Sequence, residues 1–295
     1  MKIGIDLGGS HISAGIVRNG EILKQVGQDI DKKDDIENLI INGISNLIKE
    51  LTNESNEKIE KIGISAPGII ANNKIVKATN LNLYNFDIIE RLKALYNIFD
   101  ITIKNDGKSA AIAEKNFGTM KGFKDAVFIN IGTGIGGAVF IDNKLLVPEK
   151  SAGFELGHMV IEKNGKQCSC GKRGCFEAYC SIKCLKECVK NKLDLRSNIT
   201  GKELREIIEV KENKVESILN EYIDNLSIGI SNIIDIFEPQ VICFGGSFSN
   251  YEQFLDRLKQ KLQEPNKLFS LSKFPEFVMA SLGNEAGVIG AVLDK

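Results

Sequence analysis

Ile3–Leu23, IGIDLGGSHISAGIVRNGEIL, and Val127–Leu146, VFINIGTGIGGAVFIDNKLL, carry one pattern twice. Each copy reads as an apolar strand, a polar residue, a glycine-rich turn, a second apolar strand, a tight turn and a third strand. Asn19-Gly20 in the first copy is the signal of a type I′ hairpin, whose two central residues need positive φ. Two unrelated hairpins would each look like this locally, but the match over the whole of both stretches favours a duplicated unit. A chain built from two such copies can set its glycine turns face to face across a cleft.

Outward from the repeat, the rest of the chain alternates strand and helix. An amphipathic helix is expected from about Asp34 to Leu51, with Ile36, Leu39, Ile40, Ile44, Leu47, Ile48 and Leu51 at helical spacing. Strand-like IEKIGISAPG follows, then a short KIVKA strand, a helix near Ile88 to Tyr96, the strand ITIKND ending at Asp106, and a helix from Gly107 to Phe117. Such alternation argues for an α/β layer structure. With 295 residues, 43% of them hydrophobic, two domains are expected. They are read as a small N-terminal α/β lobe over 1–116 and a larger α/β lobe over 117–283, with a helix at about 284–295 packing back on the first.

Charge and hydropathy exclude several classes. The formal net charge is −1, and no basic stripe points to nucleic acid. No apolar run approaches the roughly 20 residues needed to span a bilayer. The charge-rich stretches Asp29 to Asp35 and Lys183 to Lys192 read as loops or solvated helix faces. Met1 opens directly on a β-like run broken by Asp6, with no export signal, so a cytoplasmic, reducing location is expected.

Seven cysteines fall into two groups. His158, then Cys168, Cys170 and Cys175, supply one imidazole and three thiols within a polar loop bearing Gly171 and Gly174. That is the Cys3His set of a closed tetrahedral zinc site. Disulfides and inert core thiols are the weaker readings of this group. Cys180, Cys184, Cys188 and Cys243, at helical spacing or in an apolar run, read as inert buried thiols.

The remaining polar residues suggest phosphate chemistry. Gly8-Gly9-Ser10 and the run Gly132, Thr133, Gly134, Gly136 and Gly137 place backbone N–H groups at strand ends, where the chain can close on phosphate oxygens. The second run is not a dinucleotide fingerprint, because a strand follows it. A third turn, at Gly245-Gly246, could bound an adenosine pocket or be a plain strand-to-helix turn. Asp6 ends a strand beside the first turn, where a carboxylate can hold Mg2+ directly or through water. Asp106 ends another strand, placed either to accept the proton of an acceptor hydroxyl or to cap the following helix. Glu155 and Glu177 flank the metal-anchored His158, a set of acceptors suited to a neutral ligand with vicinal hydroxyls or to supporting the metal. His11, after the first turn, is expected to face solvent or phosphate.

These motifs together resemble the ROK family of bacterial sugar kinases and sugar-responsive repressors. IGIDLGGS resembles its first phosphate motif, SAPG at Ser65–Gly68 its sugar-side loop, and NDGKSAAIAE at Asn105–Glu114 its catalytic segment. GTGIGG resembles the second phosphate motif, and ELGH with CSCGKRGCFE the sugar and zinc signature. Ser10 stands where threonine is common, and Cys180-Ser181 replaces a usual small pair. The resemblance implies a duplicated actin-like, ribonuclease H-like two-lobe fold with a central nucleotide and sugar cleft. It implies Asp106 as general base on a sugar 6-hydroxyl, with Gly68, Asn80, Asn105, Glu155, His158 and Glu177 contacting the sugar. Nucleotide contacts are implied at Asp6, Gly8, Gly9, Ser10, Gly132, Thr133, Gly134, Gly136, Gly245 and Gly246, and zinc at His158, Cys168, Cys170 and Cys175.

The expected function is therefore an ATP-dependent hexokinase using ATP with Mg2+, one structural Zn2+, and glucose as acceptor. Kinases of N-acetylmannosamine, N-acetylglucosamine, fructose, allose or β-glucosides are the alternatives. The segment Asn80–Phe86 departs from the tryptophan-bearing form common in glucokinases. A repressor is the non-enzyme alternative; Lys2 already belongs to the first strand, which speaks against a preceding DNA-binding module. A homodimer is expected, with neither nucleic acid nor membrane as partner.

Overall fold

The computed structural model describes residues 1–30, 35–53, 57–96, 98, 100–148, 154–195, 197–210, 213–265, 267–269 and 274–294. The chain divides into two compact units. One comprises Met1–Gly122, Leu145–Phe154 and Ser281–Lys295; the other comprises Phe123–Lys144 and Glu155–Ala280.

In the first unit β1 (Lys2–Leu7), β2 (His11–Arg18) and β3 (Glu21–Asp29) form an antiparallel meander, followed by α1 (Ile36–Thr52). Asn19 and Gly20 lie at φ 53° and 84°, the paired positive values that a type I′ turn demands. Then come β4 (Lys61–Ala66), a small antiparallel sheet of β5 (Ile69–Ala71), β6 (Lys74–Ala78) and β7 (Leu83–Phe86), α2 (Ile88–Leu95), β8 (Asp100–Asn105) and α3 (Asp106–Phe117). The main sheet runs β3-β2-β1-β4-β8, with β4 parallel to β1 and β8 parallel to β4. Every residue of β4 is buried, as a central parallel strand covered on both faces requires.

Some boundaries, and two short strands, differ from the sequence reading. The third strand, read over 21–25, continues to Asp29, because beyond a register shift between Ile16 and Val17 its pairing with β2 runs on from Ile16–Lys24 to His11–Asp29. The helix read from Gly107 begins at Asp106. Strands β5 and β7, of three and four residues, are too short to show an alternation in the sequence. The start near Asp34 read for the first helix, and much of the loop read over Asp29 to Asp35, lie outside the described residues.

The second unit repeats the plan. β9 (Ala126–Ile131), β10 (Ile135–Ile141) and β11 (Lys144–Leu145) lead to α4 (Glu177–Cys180), α5 (Ile182–Lys192), α6 (Gly201–Val210) and the long α7 (Asn213–Phe237). β12 (Val241–Gly245), α8 (Gln253–Leu262) and β13 (Glu276–Met279) complete it, giving the sheet order β11-β10-β9-β12-β13. β10 is antiparallel to β9, whereas β12 and β13 are parallel to it, so the strand order, and the directions of β9, β10, β12 and β13, match the first sheet.

The chain then returns to the first unit as α9 (Ala286–Ala291), which packs on β1, β4 and α3. Two buried lysines meet its C-terminal end. Lys104 Nζ donates to the Ala291 carbonyl at 2.8 Å and Lys61 Nζ to Asp294 at 2.6 Å, placing positive charge at the negative end of the helix.

Candidate active site

In the first unit, the parallel register of β1 and β4 sets Asp6 opposite Ser65. Ser65 Oγ donates to Asp6 Oδ1 at 2.6 Å. Burial raises the Asp6 pKa, and the Ser65 hydrogen bond only partly opposes it.

Asp106 is the first residue of α3, and the cap is its neighbour. Asn105 Oδ1 accepts the Lys108 N–H at 3.3 Å, while Asn105 Nδ2 donates to the Gly68 carbonyl at 3.0 Å. The alternative of Asp106 as helix cap is thereby removed. Asp106 Oδ1 accepts the Gly107 N–H at 2.8 Å. Asp106 as a residue is open to solvent, yet protein atoms crowd its carboxyl. That desolvation, with a smaller push from the Asp6 charge, raises its pKa. A raised value makes the ionised carboxylate a stronger base.

The SAPG loop reaches Asn105 because Gly68 sits at φ 89°, where a side chain would be strained and would meet the Lys77 carbonyl. Asn80 stands beside Gly9, its Nδ2 facing the space a Cβ there would fill. Within the first glycine turn, Gly8 donates its N–H to His11 O at 2.8 Å, and Ile30 N–H is received by Ser10 O at 2.8 Å. Gly8 thus closes the turn, so in this conformation its N–H does not point out as a phosphate donor. His11 Nδ1 pairs with Asp29 Oδ1 at 2.8 Å, at a half-exposed position.

In the second unit, His158, Cys168, Cys170 and Cys175 converge, with ligand atoms all within 4.8 Å of one another. His158 follows Glu155, whose carbonyl accepts the His158 N–H at 3.0 Å. Tight turns bring the sulfurs round: Gly171 donates to Cys168 O at 3.1 Å and Cys168 to Lys172 O at 2.9 Å. Cys170 and Cys175 sulfurs are 3.6 Å apart, and Cys168 Sγ lies 3.8 Å from His158 Nδ1. A tetrahedron with zinc–sulfur bonds of about 2.3 Å has edges of about 3.8 Å. The four donors therefore fit zinc, and none of the cysteines is in a disulfide. Burial and the adjoining thiols push Cys175 up to about 12, whereas the Lys172 N–H lowers Cys170. A divalent cation would let all three bind as thiolates.

Glu177, first residue of α4, connects this loop to the second glycine turn. Its Oε2 accepts the Ile135 N–H at 2.9 Å, and its Oε1 accepts Ser169 Oγ at 3.1 Å. Glu155 is exposed. Gly132, like Gly8, spends its N–H within its own turn, on Gly134 O at 2.9 Å, and its carbonyl receives the Ile182 N–H at 2.9 Å, docking the turn on α5. The third turn lies against the second: a Cβ on Gly246 would meet Asn130 Oδ1, and Ser247 approaches Gly132.

Gly132, Thr133 and Ser247 line a cavity of about 260 Å3 within this unit. Lys183, Lys186 and Lys190 of α5 line it too, with Asn198, and Lys190 Nζ donates to Asn198 Oδ1 at 2.9 Å. The lysines, expected only as a solvated face, also line this cavity. Their spacing of three and four residues was the available signal. Ser65 as partner of Asp6, and Ile135 as partner of Glu177, come from chain segments far apart in sequence, whereas Ser169 lies 8 residues from Glu177. No described helix is long and apolar enough to cross a membrane.

Known proteins are similar to this one over nearly its full chain. A glucokinase of Thermotoga maritima is 29% identical over 306 residues, covering 98% of this chain and 95% of that one. A xylose repressor of Bacillus subtilis is also 29% identical, over 98% of this chain and 75% of the repressor. The crystal structure of the ROK hexokinase from Thermus thermophilus superposes with a TM-score of 0.85 at 25% identity, covering 99% of this chain and 96% of that one. The fold is accordingly the duplicated actin-like α/β fold of ROK sugar kinases. The pattern that defines the ROK family matches residues 2–293, and the protein belongs to that family.

Proposed function

We propose that this protein is an ATP-dependent sugar kinase that transfers the γ-phosphoryl group to the 6-hydroxyl of a hexose, with glucose the preferred acceptor. The observation that carries the reading is Asp106: a carboxyl of raised pKa at a strand end, beside the Asn105–Gly68 hydrogen bond. Its Oδ1 is engaged by the Gly107 N–H, which leaves Oδ2 as the atom to receive the 6-hydroxyl proton. Asn105, Gly68 and Asn80 would orient the sugar from the same unit.

In the second unit, His158 and Glu177 would meet further hydroxyls, joined by Glu155. His158 turns Nδ1 to the thiols, so Nε2 is the nitrogen offered to the sugar. Zinc, when bound, would fix that ring and the loop carrying it. Asp6 is the residue placed to hold Mg2+, and Gly9, Ser10, Gly132, Thr133, Gly134, Gly136, Gly245 and Gly246 are assigned to the nucleotide. The cavity at Gly132 and Ser247 suits the adenosine end. The similarity to a Thermotoga glucokinase and a Thermus hexokinase supports the reading.

A coupled assay with ATP and Mg2+ across hexoses and N-acetylhexosamines tests it. Phosphorylation of glucose ahead of N-acetylmannosamine, N-acetylglucosamine and fructose is expected. Turnover of an N-acetylhexosamine alone would move the acceptor, and no turnover of any sugar would remove the kinase. The similarity to a xylose repressor favours a second reading, a sugar-responsive regulator. A regulator gains nothing from a base of raised pKa, and sequence-specific, salt-sensitive DNA binding by this chain would favour it instead.

A further inference from the structure

Cys184 and Cys188 stand one helical turn apart on α5, in the second unit. Their spacing alone reads as that of inert core thiols; their surroundings add a neighbouring cation and a difference in exposure. Lys166, two residues before Cys168, holds its ammonium 3.9 Å from Cys184 Sγ and 4.7 Å over the Tyr179 ring. The cation–π contact fixes a positive charge against the thiol pair. Cys184 is buried, whereas Cys188 is only partly covered. A buried thiol beside a reachable one, with a cation at hand, is the arrangement of a resolving and an attacking cysteine.

We propose that Cys188 is a peroxide-reactive thiol and that Cys184 resolves it to an intrahelical disulfide. The Cys188 thiolate attacks one oxygen of a hydroperoxide. The O–O bond breaks, the departing alkoxide takes a proton from water, and Cys188 becomes a sulfenic acid. Cys184 sulfur then bonds to Cys188 sulfur as the S–O bond breaks, and the leaving hydroxide takes the Cys184 proton as water. Two electrons pass from the sulfurs to the peroxide.

The charge balance supports this division of roles. The hydrogen bond from the Cys184 thiol, helped by Lys166 and opposed by burial, lowers the Cys188 pKa. Giving that hydrogen bond pushes Cys184 far up, which keeps it protonated. The other charges facing the pair are Glu187 on α5 and Glu221 on α7, both of which disfavour the thiolate. Cα atoms four apart in an α-helix are about 6.2 Å from each other, within disulfide range, but their Cβ atoms, about 6 Å apart, must close to about 4 Å, so the bond requires this turn of α5 to unwind locally.

Closing the bond would strain the first turn of α5. Ser181 Oγ caps that turn through the Cys184 N–H at 3.2 Å, and the Ile182 and Lys183 N–H groups hold the Gly132 carbonyl at 2.9 and 3.4 Å. Oxidation would therefore loosen the second glycine turn, a consequence that rests on the nucleotide reading of that turn.

Trypsin provides the test, because cleavage after Lys186 separates Cys184–Lys186 from Glu187–Lys190. The zinc-loaded full chain, treated with hydrogen peroxide at pH 7 and digested without reductant, should yield these two peptides joined. In Cys184→Ser, dimedone should instead trap a sulfenic acid on Cys188, and iodoacetamide alkylation of Cys188 should slow about tenfold as its pKa rises. Absence of the joined pair from the wild-type digest, or equal alkylation rates with and without Cys184, would overturn the proposal. Both readouts are independent of activity, so their failure would leave the kinase reading intact.

Discussion

Glu177 Oε2 accepts the Ile135 N–H at 2.9 Å while its Oε1 accepts Ser169 Oγ at 3.1 Å, so one carboxylate ties the second glycine turn to the cysteine loop. Glutamine would turn one of those acceptors into a donor facing a donor. Glu177→Gln is expected to raise KM for both the sugar and ATP. Steady-state kinetics with each substrate varied in turn measures this, and a change confined to one KM would break the proposed link.

Removing zinc should separate the two substrates where Glu177→Gln does not. Cys170 is exposed at the edge of the ligand set, so Cys170→Ser removes one donor with little loss of core packing. Losing a ligand frees His158 first, and sugar KM is expected to rise about tenfold, with a much smaller change for ATP. Chelation of the wild-type protein, followed by zinc assay and kinetics, should reproduce that order.

Asp106→Asn should reduce kcat by at least ~10² with sugar binding retained. Its effect on stability has the opposite sign. The folded protein raises the Asp106 pKa, so the carboxyl holds its proton more tightly folded than unfolded. Its favourable contribution is present below the unfolded value of 3.8 and is lost as pH rises through the raised folded value. At pH 7 the ionised group works against folding, and asparagine relieves that. Thermal melts at pH 7 should show Asp106→Asn at least as stable as wild type.

Ser65→Ala removes the one hydrogen bond that lowers the Asp6 pKa, leaving burial unopposed. Asp6 would then stay protonated to higher pH, and a protonated carboxyl is a poor Mg2+ ligand. Half-maximal activity should require more Mg2+ than in wild type, with the gap wider at pH 6 than at pH 8. An unchanged Mg2+ requirement at both values would remove Asp6 from metal binding.

What the residues disclose before folding depends on how local the information is. The glycine turns and the cysteine loop declare themselves because every needed residue lies within one short stretch, such as Cys168–Cys175. Asn105 as the α3 cap could not be told from Asp106, since both are good capping residues at adjoining positions. Ser65 as the partner of Asp6 follows from a parallel register between strands far apart in sequence. The lysine row of α5 depends on which face of that helix adjoins Gly132, which periodicity leaves open.

Glu114 shows the same dependence on distant chain, and it gives the last prediction. Its carboxylate is fully buried in the first unit, where Oε1 accepts the N–H groups of Ser281 and Leu282, each at 2.7 Å. Oε2 accepts the Thr119 N–H at 3.0 Å. A single anion thus holds the segment after α3 together with the segment entering α9. Such hydrogen bonds to a charged acceptor are stronger than neutral ones, and a buried donor left unpaired costs about 1–3 kcal/mol. Glu114→Gln keeps the shape but presents an NH2 group to a backbone N–H, so urea unfolding should show a loss on that order. Glu114→Ala, which strands every donor and opens a cavity, should lose more. Equal stability of all three proteins would show that water replaces the carboxylate without cost.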